Sequence, residues 1–203
     1  MADYEVKLFP RERRNISILL SETEKKHVIH ALLKIEVTEG RNKIREFKKK
    51  GRDISFTAWI IKCFAMVMEE HKLFNALRHG KRKLVFFKSV DVGLPVEREV
   101  DGRHKLTAYI IRDANRKNID ELTREIRQCQ QKKIGKSEQL LVRKRLLEQF
   151  AMASPSFIKK LLLFIGSRNA FLRKKYMGTT VISTVGMAGR FQGWLLTIGG
   201  HFT

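Results

Sequence analysis

A run of apolar residues with helical spacing constrains the fold of this chain more than any other feature. Its apolar positions recur at steps of three and four residues: Ala58, Ile61, Ala65 and Met68. Trp59 and Phe64 widen this stripe, and residues 53–57 supply capping groups for a helix that begins there. Because the segment is apolar on all sides, we expect a buried helix around which the rest of the chain builds its core.

Segments with strand-like patterns lie on both sides of this helix. We predict strands over 28–37, 83–88, 89–96, 105–112, 179–184 and 194–198. In the first of them, alternate positions are apolar: Ile29, Ala31, Leu33, Ile35 and Val37. Asp101-Gly102 is typical of a tight turn between two strands.

Further helices are predicted between these strands. Residues 41–50 form a short, very basic helix with Ile44 and Phe47 on its buried stripe. Residues 119–131 form an amphipathic helix with Asn118 as its cap and three apolar positions on one face: Leu122, Ile126 and Cys129. Two basic amphipathic helices, separated by Ser154-Pro155-Ser156, are predicted within 132–176. Helices and strands follow no regular βαβ rhythm, so a mixed α+β fold is favoured over a doubly wound α/β sheet.

The charge of the chain indicates classes of partner without selecting one. Its 42 Lys+Arg and 21 Asp+Glu give a formal net charge of +21, which attracts nucleic acids, acidic membranes and phosphorylated cofactors. Specific nucleic-acid binding is the weakest of these hypotheses, because the chain has no helix-turn-helix pattern, zinc signature or basic strand interleaved with aromatics. The segment 132–176 has the composition of helices that lie on a membrane surface, but we favour packing on the sheet or on a neighbouring subunit.

The cysteines and the N-terminus indicate a cytoplasmic protein. Cys63 and Cys129 are 66 positions apart and lack metal-ligand spacing, so we expect reduced thiols and no metal site. The first residues lack the basic start and apolar run of a signal peptide. The longest apolar stretch, 54–68, contains Lys62 and is too short to span a bilayer.

A glycine-punctuated segment near residue 183 is the strongest candidate for chemistry. In residues 178–189 a predicted strand ends in small hydroxyl residues, so that Ser183 or Thr184 lies at the start of a loop. A hydroxyl in such a position can donate a hydrogen bond to an oxyanion that develops during acyl transfer. The alternative is that both are ordinary strand residues before a turn.

Five segments together resemble the acyltransferase components of pyruvate and other 2-oxoacid dehydrogenase complexes. The segment G-T-T-V-I-S-T-V-G-M-A-G (178–189) is similar to the family's G-T-F-T-I-S-N-L-G-M-F-G. The other four occur in the family's order: the strand at 28–37, the helix from Ile54 with Leu73-Phe-Asn-Ala after it, S-V-D-V-G-L-P-V (89–96) and I-I-R-D-A-N-R-K (110–117). The resemblance covers about residues 27–131 and 176–200.

The resemblance implies a chloramphenicol-acetyltransferase-like fold, a mixed sheet with packed helices that assembles as a homotrimer. It also implies transfer of an acyl group between coenzyme A and a dihydrolipoamide-like thiol carrier at sites between subunits. A histidine acts there as general base on the thiol, and a hydroxyl stabilises the oxyanion. By motif position Ser183 takes the catalytic role of that hydroxyl; the residues that bind the cofactor stay unassigned.

The sequence departs from the family pattern at the catalytic histidine. The family's D-H-R-x-x-D-G motif occurs nowhere in these 203 residues, and His201 lacks the Asp-Gly that should follow. We therefore expect a basic N-terminal arm at 1–26 and a C-terminally incomplete acyltransferase-like domain at 27–203, with 132–176 as a basic helical insertion. A truncated copy with little activity alone is the favoured hypothesis; a non-catalytic scaffold or partner-binding protein is the alternative.

The remaining polar candidates have structural interpretations beside functional ones. His30 could face an active-site channel, but a half-buried structural role is favoured. Asp91 and Asp113 are expected to pair with nearby arginines. Lys48-Lys49-Lys50 and Arg143-Lys144-Arg145 could clamp phosphates or simply lie on exposed helix faces.

Overall fold

The computed structural model describes residues 17–18, 21, 29–100, 103–131 and 155–184. Its helices are α1 (Thr38–Lys49), α2 (Phe56–Glu70), a 3-10 turn (Lys72–Asn75), α3 (Ile119–Gln131), α4 (Ser156–Ser167) and α5 (Ala170–Met177). Its strands are β1 (Ala76–His79), β2 (Lys83–Phe86), β3 (Val92–Val100), β4 (Arg103–Ile111) and β5 (Thr180–Val181). Several predictions lie outside the described residues: most of the 1–26 arm, the Asp101-Gly102 turn, the helix before Pro155 and everything after Thr184.

Strands β3, β4 and β5 form a mixed sheet with β3 at its centre. β3 pairs antiparallel with β4 and parallel with β5, so that Val92 lies opposite both Ile111 and Thr180. At the other end of the hairpin Val100 pairs with Arg103. β1 and β2 form a separate antiparallel hairpin. These mixed strands and helices confirm the predicted α+β class.

Helices α2 and α3 cover the sheet and form the core with it. The four positions predicted for the buried face of α2 are indeed buried: Ala58, Ile61, Ala65 and Met68. They cluster with Leu122 and Ile126 of α3 and with alternate residues of β3: Val92, Leu94 and Val96. Full burial of one such Leu, Ile or Val side chain stabilises the fold by about 1.5–3 kcal/mol, so this cluster is the main source of stability.

Helix α3 begins at the residue predicted, because its first turn carries a capping box. Asn118 Oδ1 accepts a hydrogen bond from the Glu121 N–H (2.8 Å), and Glu121 Oε2 accepts one from the Asn118 N–H (2.7 Å). Asp120 in the same turn makes a two-pronged ion pair with Arg52. The hydrogen bond from Arg52 lowers the pKa of the Asp120 carboxyl below its usual value.

The prediction of an opening strand over 28–37 is wrong. Residues 29–37 have no regular secondary structure, and their apolar side chains are exposed, with Ile29 at 97% and Leu33 at 73%. A strand needs a neighbouring strand to satisfy its N–H and C=O groups, and none lies beside this segment in the described part of the chain. The alternation of apolar residues was therefore not sufficient to form a strand in this segment.

Two predictions of burial and one of strand length also fail. The face of α2 that carries Phe64, Met66 and Val67 is about half exposed, so this helix is buried on one side only. On α1, Ile44 is half-buried while Phe47 is exposed. β5 is shorter than the predicted 179–184 strand, because its ladder with β3 ends at Gly93.

The segment before β5 forms two helices that meet at Asn169. The Asn169 side chain caps α5 by accepting hydrogen bonds from the N–H groups of Phe171 (3.0 Å) and Leu172 (3.2 Å). The turn between α4 and α5 is tied to the β1–β2 hairpin, since the Gly80 N–H donates to the Arg168 carbonyl (2.7 Å). α5 ends at Gly178, whose φ of +83° favours glycine.

Candidate active site at the end of strand β5

Backbone hydrogen bonds to β3 hold β5 in place. The N–H groups of Thr179 and Thr180 donate to the Asp91 carbonyl at 2.7 and 3.2 Å, and the Ile182 N–H donates to the Gly93 carbonyl at 2.9 Å. Close approach requires glycine at 93, because a Cβ there would lie 2.7 Å from the Met177 carbonyl oxygen. The residues directly after Ile182 therefore have a defined position at the edge of the sheet.

Ser183 and Thr184 are the exposed residues that follow β5. Ile182 is buried in the core, whereas both hydroxyl residues after it are exposed. The Thr184 hydroxyl lies 3.4 Å from the Thr57 hydroxyl, which belongs to the first turn of α2. The candidate catalytic segment is thus brought to the N-terminal end of the central helix. No local sequence pattern predicts the contact between these threonines, since they are 127 residues apart.

The N-terminal end of α2 has no side-chain cap. Ser55 occupies the cap position, but its side chain accepts no capping hydrogen bond, contrary to the prediction from residues 53–57. Its backbone N–H donates instead to the Thr123 hydroxyl on α3 (3.2 Å). The first N–H groups of a helix carry a partial positive charge, and here the Ser55 side chain does not offset that charge. This end of the helix therefore favours an anion or a developing oxyanion.

A shallow cleft of about 220 Å³ adjoins this helix end. It is lined by Arg41, Ile44, Arg45 and Phe56, and the Arg41 guanidinium lies 4.4 Å from the centre of the Phe56 ring. Arg41 and Arg45 are one helical turn apart on α1, a spacing visible in the sequence but not assigned from it. Of the residues predicted to clamp phosphates, Lys48–Lys50 are exposed at the other end of α1, and Arg143–Arg145 lie outside the described residues.

A buried carboxylate organises the chain just before β5. Asp91 is only 2% exposed, and its Oδ2 atom lies 2.7 Å from Arg112 Nη1 and 3.3 Å from Lys174 Nζ. Arg112 also donates to the carbonyls of Lys174, at 2.8 Å, and Lys175 at the end of α5. The predicted salt bridge of Asp91 is confirmed. Asp113 joins the cluster through its backbone N–H, which donates to Asp91 Oδ1 (3.0 Å), rather than through its side chain.

The described histidines lie in settings other than the hydroxyl site. His30 is exposed on the irregular segment 29–37, so its predicted half-buried role is not observed. His79 Nδ1 accepts a hydrogen bond from the Ala170 N–H (3.3 Å), and His71 is exposed beside Phe74. Within the described ranges, no histidine is hydrogen-bonded to Ser183. His201 lies outside them.

Comparison with known families decides the classification of the chain. The model of the 2-oxoacid dehydrogenases acyltransferase (catalytic domain) matches residues 5–140. The chain belongs to this acyltransferase family. The family resemblance is thereby confirmed, over a range that includes four of the five sequence segments; the segment 178–189 lies outside it.

Individual relatives share the fold of this chain or part of its sequence. The acetyltransferase component of the pyruvate dehydrogenase complex of Buchnera aphidicola is 29% identical over 86 residues, which are 42% of this chain and 21% of the relative. A probable dihydrolipoamide acetyltransferase from Listeria monocytogenes superposes with a TM-score of 0.54 at 18% identity, over 98% of this chain and 70% of that one. The dihydrolipoamide acetyltransferase of Azotobacter vinelandii gives 0.51 at 17% identity, over 62% and 55%.

These comparisons establish the family and the fold of this chain. At these identities the solved structures show a shared fold alone, and the chain spans about a fifth of the length of its curated relative. The Azotobacter enzyme has been investigated for the roles of a serine, a histidine and an asparagine in its catalytic mechanism. Across the described residues of the present chain, no helix has the length and apolarity needed to cross a bilayer.

Proposed function

We propose that this protein transfers an acyl group between coenzyme A and a dihydrolipoamide-like thiol carrier. The observation that carries the proposal is the exposed Ser183 after β5, in a member of the acyltransferase family. Its neighbour Thr184 lies with its hydroxyl 3.4 Å from that of Thr57 at the N-terminal end of α2. A serine has also been studied for its part in the mechanism of the Azotobacter acetyltransferase.

The chemistry needs a site that stabilises negative charge on oxygen. A thiolate attacks the carbonyl carbon of the thioester, its electron pair forms the new C–S bond, and the carbonyl oxygen becomes an oxyanion. The Ser183 hydroxyl donates a hydrogen bond to that oxyanion, and the positive end of α2 adds to its stabilisation. Collapse of the tetrahedral intermediate restores the carbonyl and expels the other sulfur as a thiolate, so that the acyl group changes carrier.

The arginine-lined cleft supports coenzyme A as the second substrate. Arg41 and Arg45 lie beside Phe56, the first residue of α2, and guanidinium groups bind phosphates in a fork geometry. The same proposal includes homotrimers, a cytoplasmic location, an arm at 1–26 and a basic insertion at 132–176 within the domain 27–203. Each follows from the family resemblance or from composition.

The reaction also needs a general base that removes the proton from the attacking thiol. The resemblance assigns proton removal from the thiol to a histidine in a motif that this sequence lacks. We therefore expect the 203-residue chain to bind coenzyme A but to turn over slowly. The alternative, a non-catalytic scaffold with the same fold, differs in showing binding without any transfer.

The test is acetyl transfer from acetyl-coenzyme A to dihydrolipoamide by the complete product of the gene. Ser183→Ala should lower kcat by about 100- to 1,000-fold, because one oxyanion donor is lost, while coenzyme A affinity changes little. Ser167→Ala is the matched control, since the Ser167 hydroxyl only donates to the Phe164 carbonyl within α4 (2.9 Å). Its activity should equal that of the wild type.

Two outcomes would contradict the proposal. Coenzyme A binding by calorimetry with no transfer above background would favour the scaffold. Full activity of Ser183→Ala would remove Ser183 from the mechanism and leave only the family assignment.

A further inference from the structure

The apolar face of α4 is turned towards solvent. Its four main side chains follow the spacing of a single helix face, i, i+4, i+7 and i+8: Phe157, Leu161, Phe164 and Ile165. Their exposed fractions are 70%, 55%, 45% and 54% in the same order. Two aromatic rings and two aliphatic side chains thus form a continuous exposed stripe, here called the α4 stripe.

The neighbouring helix α5 does pack on the protein body, which sets the α4 stripe apart. Ala170 and Arg173 of α5 are buried, and Arg112 of the Asp91 cluster donates to the Lys174 carbonyl in the same helix (2.8 Å). Packing on the sheet, the role favoured from sequence for 132–176, is therefore observed for α5 but not for the α4 stripe. Among the described residues, the Arg168 guanidinium lies 4.1 Å from the centre of the Phe164 ring, and no other helix or strand covers the stripe.

The charge around the α4 stripe selects an anionic partner. Residues 149–203 contain seven Lys and Arg and not one Asp or Glu. Three of these basic residues are exposed on or beside α4 and α5: Lys160, Arg168 and Lys175. An apolar stripe with cations and no carboxylates is the combination that binds anionic lipid surfaces.

We propose that α4 lies flat in the interface of an anionic membrane. The α4 stripe enters the boundary between headgroups and acyl chains, while Lys160, Arg168 and Lys175 contact the lipid phosphates. A helix of 12 residues is about 18 Å long, enough to lie in the interface but not to span the hydrocarbon core. This inference is independent of acyl transfer, because vesicle binding needs no substrate.

The test is co-sedimentation with vesicles made of equal parts phosphatidylglycerol and phosphatidylcholine. The wild type should bind these vesicles and not pure phosphatidylcholine vesicles. Phe157→Ser with Phe164→Ser should weaken binding by about tenfold or more, because two buried rings are lost from the interface. The matched control replaces two exposed phenylalanines elsewhere, Phe74→Ser with Phe86→Ser, whose exposed fractions are 73% and 54%. The control should bind like the wild type.

A second variant separates charge from apolar contact. Lys160→Gln with Lys175→Gln should weaken binding by about fivefold per charge removed, and added salt should remove this difference. Circular dichroism and Tm show whether each variant is folded. No binding by the wild type, or equal loss in the Phe74/Phe86 control, would overturn the proposal. So would an α4 stripe that holds two copies of the chain together: the Phe157/Phe164 variant would then dissociate an oligomer in sedimentation without any vesicle binding.

Discussion

Asp91 shows how one buried side chain can connect several distant parts of this protein. Its carboxylate faces Arg112 from the end of β4 and Lys174 from α5, while its backbone carbonyl receives the N–H groups that start β5. Removal of one partner from such a cluster leaves the remaining charges poorly compensated. Asp91 therefore supports the position of Ser183 without touching it.

We predict that Asp91→Asn lowers the free energy of unfolding by about 2 kcal/mol. Loss of a fully buried pair costs about 3–5 kcal/mol, and the value here is smaller because Arg112 is 41% exposed and can gain water. Chemical denaturation measures the difference. Asp53→Asn is the matched control, since its pair with Arg127 at 3.1 Å is about half exposed on both sides. Equal stability of the two variants would contradict the structural role of Asp91.

The role of a single residue could be predicted from sequence where residues close to it in the chain determine that role. A salt bridge of Asp91 with a nearby arginine was predicted from sequence, and the structure identifies that arginine as Arg112. The contact between Thr57 and Thr184 could not be predicted, because it joins the start of α2 to the end of β5. The role of Ser183 stays a prediction from its motif.

Among the helices and strands, β5 is the element on which the candidate site depends most. It pairs with β3 at only two positions, Thr180 with Val92 and Val181 with Gly93, and its approach needs the missing side chain of Gly93. A Cβ at this position would meet the Met177 carbonyl and the Val181 side chain. The strand would have to move away from β3.

We predict that Gly93→Ala destabilises the protein by about 1–3 kcal/mol, the usual cost of overpacking, and also impairs any reaction that uses Ser183. Thermal unfolding and acetyl transfer measure the two effects. Gly166→Ala in α4 is the control, because no atom lies within 4 Å of its added Cβ. Alanine there should be neutral or should stabilise the helix by up to about 1 kcal/mol. A Gly93→Ala protein as stable and active as the wild type would show that β5 can be displaced freely.

For the chain as a whole, the net charge of +21 is the dominant electrostatic property. Like charges on a compact protein repel each other, and salt screens this repulsion. Opposing this, native ion pairs such as Arg52 with Asp120 are weakened by salt. With 42 basic and 21 acidic residues, we expect the repulsion between like charges to exceed the attraction within ion pairs.

We therefore predict that Tm rises when sodium chloride is increased from about 0.01 M to about 0.3 M, as the Debye length falls from about 30 Å to below 10 Å. Differential scanning calorimetry measures the change. A neutral osmolyte at matched osmolality is the control, and it should raise Tm much less than the salt does. A Tm that falls with salt would show that the native ion pairs outweigh the repulsion.

Local sequence patterns were sufficient to predict the helices α2 and α3, the strands β3 and β4, the α+β class and the family. The first residue of α3 was predicted correctly, because its capping box joins Asn118 and Glu121, three positions apart. Such features depend on hydrogen bonds and side-chain spacing within a few residues, which are legible in the sequence.

Long-range contacts settled the rest. Residues 29–37 carry a strand pattern but have no neighbouring strand, and the α4 stripe carries a core pattern but stays exposed. The place of Ser183 depends on the β3–β5 ladder, and its neighbour Thr184 contacts the start of α2, 127 residues away in the sequence. An apolar pattern states that a side chain can be buried; whether it is buried depends on which surface folds against it.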